Sequence, residues 1–180
     1  MKNFTKLFAL AVVILGFSAT SFGQTGSATA TAISNVAAAL DITNNANMDF
    51  GVVYKNGTGG TVVVTPSATP TNIGTDVVTG GTPIAAKFTV TGDPLHTFKV
   101  TIPLTTTAVS TATGTKPIGA ADITVDGWSC NFPVTAGVAT GVSLASGTTE
   151  VYIGATLHVG ANQLVGNYIT APFTVTVDQE

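Results

Sequence analysis

The amino-acid sequence predicts an all-β chain arranged as a two-sheet antiparallel β-sandwich of about eight or nine strands. Three observations carry this expectation. Segment after segment rich in Val, Ile, Thr and Phe places apolar residues at every second position, the period of a strand with one dry and one wet face. Gly, Pro, Asn and Asp, the residues of tight turns, separate these segments. Beyond residue 23, apolar positions nowhere recur at helical spacing over ten or more residues.

The first 23 residues are set apart from the fold. Lys2 and Lys6 precede an apolar stretch over residues 7–17, and Ser21-Phe22-Gly23 follows it. A basic start, an apolar run too short to span a membrane and a small-x-small end read as a signal peptide cleaved after Gly23. A chain starting at Gln24 has 157 of the 180 residues, enough for one domain with a real core. It is read as an arm over residues 24–35 and a β-sandwich domain over residues 36–180. Four lysines (Lys55, Lys87, Lys99, Lys116) then stand against nine acidic residues, a formal charge of −5 with no Arg. Nucleic-acid binding needs a basic face to displace counterions and is excluded on that ground. No second long apolar segment follows, so no membrane span is expected. The implied location is secreted: periplasm, outer surface or extracellular.

The mature chain begins with a row of small or apolar even-numbered residues: Ala28, Ala30, Ala32, Ser34, Val36, Ala38, Leu40 and Ile42. At about 3.3 Å per residue such a run reaches roughly 50 Å, far beyond an ordinary strand. Residues 36–42 have the bulk of a first domain strand. Residues 28–34 either bend near Ser34-Asn35 and tuck back as a strand that switches sheets, or serve something outside the domain. Ala fills a pocket weakly, which favours the tucked strand.

Met48, Phe50 and Val52 alternate next, and Asn56-Gly57-Thr58-Gly59-Gly60 turns the chain into a strand that Pro66 ends. Ile84, Ala86, Phe88 and Val90 form an inward row, Gly92-Asp93-Pro94 turns, and Phe98, Val100, Ile102 and Leu104 form another; the two rows read as a hairpin. Residues 105–120 lack a period and read as a loop. Ile123 and Val125 restart the alternation on odd numbers while Trp128, Cys130 and Phe132 continue it on even ones. A glycine at that change, Gly127, predicts a β-bulge. Val142 and Leu144 mark a short strand. Val151, Ile153, Ala155, Leu157 and Val159 make one clear final row, and Ile169, Ala171, Phe173, Val175 and Val177 the other.

The strings MDFGVV (48–53), AAKFTVTG (85–92), ITVDGW (123–128), GATLHVGANQ (154–163) and YITAPFTVTV (168–177) resemble a family of secreted bacterial proteins known as a domain of unknown function, number four-four-zero-two. GATLHVGANQ followed by Gly166-x-Tyr168 is the most specific part. That family is similar to spore coat protein U and to chaperone–usher pilins, which implies an immunoglobulin-like, pilin-like sandwich. In such pilins a neighbour's N-terminal extension supplies a missing strand, so the resemblance makes Ala28, Ala30, Ala32 and Ser34 a candidate strand-donor arm. It implies no catalytic residues. The disulfide common in the wider group has no counterpart here, because Cys130 is the only cysteine.

Sites for chemistry are sparse. His96 and His158 have no second His or Cys at ligand spacing, so no metal site is expected. Asp122 and Asp126 lack the alternating acidic loop of a Ca²⁺ site and read as a solvated strand end. No Gly-x-Ser-x-Gly elbow marks a nucleophile. Cys130 shares its face with Trp128 and Phe132 and reads as a buried small hydrophobe. Trp128, the one Trp, reads first as a core side chain and second as a stacking platform for a ligand such as a glycan. Asn56-Gly57-Thr58 fits a glycosylation sequon, but Asn-Gly turn chemistry explains it without sugar. The expectation is a non-enzymatic structural or adhesive surface protein without cofactors. Its partners would be itself or other pilin-like subunits, met through an exposed strand edge. The alternative is a monomeric secreted binding module, and a secreted hydrolase is a third and poorer reading.

Overall fold

The computed structural model describes residues 26–104, 107–108 and 118–180. The expected signal peptide and most of the expected 105–120 loop lie outside them. The chain divides into two units, Met1–Asn35 and Val36–Glu180. In the first, each described residue is exposed and none is in a strand.

The second unit contains twelve strands and no helix among its described residues. These are β1 (Asp41–Ala46), β2 (Val52–Tyr54), β3 (Gly60–Val64), β4 (Asn72–Thr75), β5 (Val78–Gly80), β6 (Ala86–Thr91), β7 (Thr97–Thr101), β8 (Thr107–Ala108), β9 (Thr124–Cys130), β10 (Val138–Ser143), β11 (Thr148–Val159) and β12 (Thr176–Gln179). A seven-stranded sheet runs β1-β6-β11-β3-β4, with β9 also on β11 and β8 on β9. A three-stranded sheet runs β10-β7-β12, and β2 pairs with β5. All pairings are antiparallel, so the all-β, sandwich-like expectation holds.

Burial explains the layering. Phe88 and Val90 of β6 and Val151 and Ile153 of β11 meet Phe98 and Val100 of β7 and Ala139 and Val142 of β10 in one core cluster. A second cluster gathers Val62, Val77, Ile123, Val125, Ala155 and Leu157, with Phe50 and Val53 packed on it. Each fully buried Val, Leu, Ile or Phe contributes about 1.5–3 kcal/mol relative to exposure, so these two clusters hold the sheets together. The long strand β11 serves both. It pairs with β6 over its first half and with β3 and β9 over its second.

The bulge expected at Gly127 is present. Gly154 of β11 pairs with Ser129 and Thr156 with Asp126, so Gly127 and Trp128 together oppose Ala155. Gly127 takes φ +58°, a conformation that favours glycine. The extra residue turns both Val125 and Cys130 inward.

Four expectations are corrected. First, β1 begins at Asp41 rather than Val36, and residues 26–40 form no strand; Val36 is 91% exposed. The tucked, sheet-switching strand therefore does not form. Second, β6 and β7 are not a hairpin but belong to different sheets, so Gly92-Asp93-Pro94 carries the chain across the core. Both rows face that core, and period-2 patterning cannot tell facing strands from paired ones. Third, the Met48-Phe50-Val52 row breaks at Gly51, φ +74°, after which Val53 rather than Val52 packs inward. Fourth, the strand expected over residues 169–177 is reduced to β12, while Thr107 and Ala108 within the expected loop pair with β9.

Candidate functional site

Between the seven-stranded sheet and two irregular segments lies a groove of about 1080 Å³. Ile123 precedes β9 and Val125 lies within it, Leu157 stands on β11, and Met48 and Phe50 approach from the segment before β2. Residues 163–173 close another wall. Met48 and Trp128 line it and pack against both core clusters.

Trp128 is placed here by the bulge. Its ring is half-buried and lies 4.6 Å from the Phe173 ring at a 45° tilt, and Phe173 meets Phe88 edge-on at 6.4 Å. The indole Nε1 is buried and makes no hydrogen bond among the described residues. An unpaired buried N–H costs free energy, so the ring is held by its apolar contacts. The side chain is thus both a core contact and part of the groove wall.

The sequence string singled out as most specific builds the adjoining loop. Gln163 is 4% exposed, and its Nε2 donates to the Ala121 carbonyl at 2.6 Å. Its own N–H donates to the Gly160 carbonyl at 3.2 Å. The Tyr168 hydroxyl donates to the Leu164 carbonyl at 2.7 Å, and its ring packs on the second core cluster. Gly160-Ala161-Asn162-Gln163 with Gly166-x-Tyr168 therefore anchors both ends of a short loop beside the groove.

No main-chain to main-chain hydrogen bond among the described residues involves residues 164–174. Ile169 is 56% exposed although the alternation placed it inward, because the inward face changes parity between Thr170 and Ala171. From Ala171 on, the odd-numbered row of Phe173, Val175 and Val177 does pack against the core.

The remaining candidates fall elsewhere. Ala28, Ala30, Ala32 and Ser34 are exposed in the first unit. Asp126 Oδ1 lies 2.7 Å from His158 Nε2, a cross-strand pair that spacing along the chain does not reveal. No group of three or more His, Cys, Asp or Glu among the described residues is placed to hold a metal. Cys130 is buried, its Sγ 3.3 Å from the Phe132 carbonyl, and burial pushes its thiol pKa up. Asn56 Oδ1 accepts from the Thr58 N–H at 3.1 Å and its hydroxyl at 3.0 Å, which is the turn chemistry expected of it. On the outer face Lys87 Nζ lies 2.5 Å from Glu150, whose carboxylate also accepts from the Tyr152 hydroxyl. The Lys87 and Tyr152 hydrogen bonds hold the Glu150 carboxyl below its usual range, but the trio is exposed and forms no cleft. Among the described residues, no helix is long and apolar enough to cross a membrane.

A family model described as a domain of unknown function (DUF4402) matches residues 40–178, which contain every strand but the last residue of β12. No curated protein and no solved structure matches the chain.

Proposed function

The chain belongs to the DUF4402 domain-of-unknown-function family, and from that premise we propose a secreted, non-enzymatic structural or adhesive role at the cell surface, with assembly by β-strand donation. The observation that supports this is the row at residues 28–38. It has the alternation of a strand, yet it forms none and is exposed, with Val36 at 91%. An unpaired strand-like run in a secreted protein is a liability unless something pairs with it. Donation to a neighbour satisfies its main-chain donors and acceptors and places Ala28, Ala30, Ala32 and Ser34 against alternate positions of the recipient. The resemblance to immunoglobulin-like pilin sandwiches points the same way.

Deletion of residues 24–34 from the mature protein tests the reading. The expected result is loss of oligomers or filaments with an unchanged melting temperature for the remaining domain. If the intact chain stays monomeric at high concentration and the deletion destabilises it, donation is wrong. A monomeric binding module is the second reading, favoured by Trp128 in the groove wall. A stable monomer whose Trp128 fluorescence shifts on addition of glycans would select it.

A further inference from the structure

We infer that the groove beside Trp128 is an acceptor for one β-strand, and that a second copy of this chain fills it by laying residues 28–38 along residues 168–174. The inference rests on the donation reading above and adds the place where the donated segment lands.

Three observations on the compact unit carry it. Residues 168–177 have the composition and alternation of a strand, Tyr-Ile-Thr-Ala-Pro-Phe-Thr-Val-Thr-Val, but pairing begins only at Thr176. Strand-forming sequence with no pairing partner among the described residues, next to a groove, is what a sheet missing one member looks like. The main-chain groups of residues 168–174 form no bonds with one another or with other described main chain, so their carbonyls, and their N–H groups other than at Pro172, are open to an added strand as far as the described residues go. The groove itself, at about 1080 Å³, slightly exceeds the roughly 300–1,000 Å³ of small-ligand pockets. Its size suits a length of chain.

The occupant follows from size and reach. Residues 168–174 extend roughly 23 Å and residues 28–38 roughly 36 Å at about 3.3 Å per residue, so the arm covers the whole acceptor. Bulky side chains, the rings of Trp128, Phe173 and Phe50 and the thioether of Met48, already occupy the groove walls. Small side chains such as Ala28, Ala30 and Ala32 let a donated backbone come close enough to bond to residues 168–174 without displacing those rings. The smallness of the arm's face, which makes it a poor core strand, suits it to a space that other side chains have narrowed.

The test is hydrogen exchange on the full mature chain, dilute and at concentrations where it assembles, with Thr170→Pro and Ala171→Pro as variants. Assembly should protect amides within residues 168–171 and 173–174, Pro172 having none, while β4 and β10 stay as in the monomer. Proline removes an N–H that bonds nothing among the described residues, so both variants should keep the wild-type melting temperature. The one that removes the paired donor should weaken assembly about tenfold. Protection confined to another strand edge, or two proline variants that assemble like wild type, overturns the acceptor while arm deletion still abolishes assembly. Protection of residues 168–174 that is equal in the dilute monomer overturns the second copy as occupant. Assembly that survives arm deletion, or no assembly at any concentration, overturns the donation reading and this inference with it.

Discussion

Gly154→Ala is the substitution for which the structure supplies the sharpest magnitude. Gly154 is buried in β11 where the neighbouring strand changes from β6 to β3. A methyl carbon there would sit 2.2 Å from the Val64 carbonyl oxygen, 2.9 Å from Pro66 N and 3.0 Å from Pro66 Cδ. All three belong to main chain or to a proline ring, so no flexible side chain can swing away. Relief requires β3 or β11 to move by about 0.8 Å, the shortfall from the 3.0 Å that real Cβ atoms keep. Both strands bury fully packed residues nearby, Val62, Val64, Val151 and Ile153, so that shift disturbs the core on both sides. Overpacking of this kind costs about 3 kcal/mol, the upper end of the usual range. At about 2–4 °C per kcal/mol for a domain of this size, the melting temperature should fall by about 6–12 °C. Circular dichroism melts of Gly154→Ala beside Gly57→Ala provide the assay. Gly57 has no atom within 4 Å of its would-be methyl and should melt with wild type. A Gly154→Ala melting temperature within a degree or two of Gly57→Ala would refute the packing described for β3 and β11.

Two further predictions concern the interior. Gln163→Ala removes the donor to the Ala121 carbonyl at 2.6 Å and should cost about 1–3 kcal/mol, read as a lower urea midpoint at unchanged slope; an unchanged midpoint would mean the amide is not anchoring the loop. Cys130 has a thiol pKa raised by burial, so the unfolded thiol loses its proton first as pH rises. Its contribution is therefore fully present below the unfolded thiol pKa and is lost progressively as pH climbs above it. Cys130→Ala should flatten the alkaline decline in stability measured by denaturant melts, and an identical decline in both proteins would count against a desolvated thiol.

Much of the fold was legible because alternation reports directly which face of a strand is wet. The β11 row of Val151, Ile153, Ala155 and Leu157 is buried as read, and the strand expected before Pro66 is β3. The bulge at Gly127 was visible as a change of parity next to the one residue type that tolerates positive φ. Partners were not legible. The rows of β6 and β7 look like a hairpin and face each other across the core instead, since a turn that crosses between sheets and one that joins neighbours carry the same residues. Trp128 was readable as an inward aromatic, but its contact with Phe173 arises from residues 45 positions apart and has no local signal. The same holds for Asp126 with His158 and for Gln163 with the Ala121 carbonyl.

The sequence by itself determined the β class, the turns, the inward residues of most strands, the kinship and the oddity of a strand-like arm made of small residues. Those follow from side-chain chemistry within a few residues, where sterics and hydrophobic burial act locally. Only the tertiary structure decided which strands pair, where the core splits into two clusters, and that residues 164–174 form no main-chain bonds with other described main chain beside a groove. Pairing depends on which distant edges come within hydrogen-bonding reach, and a two-residue period holds no record of that.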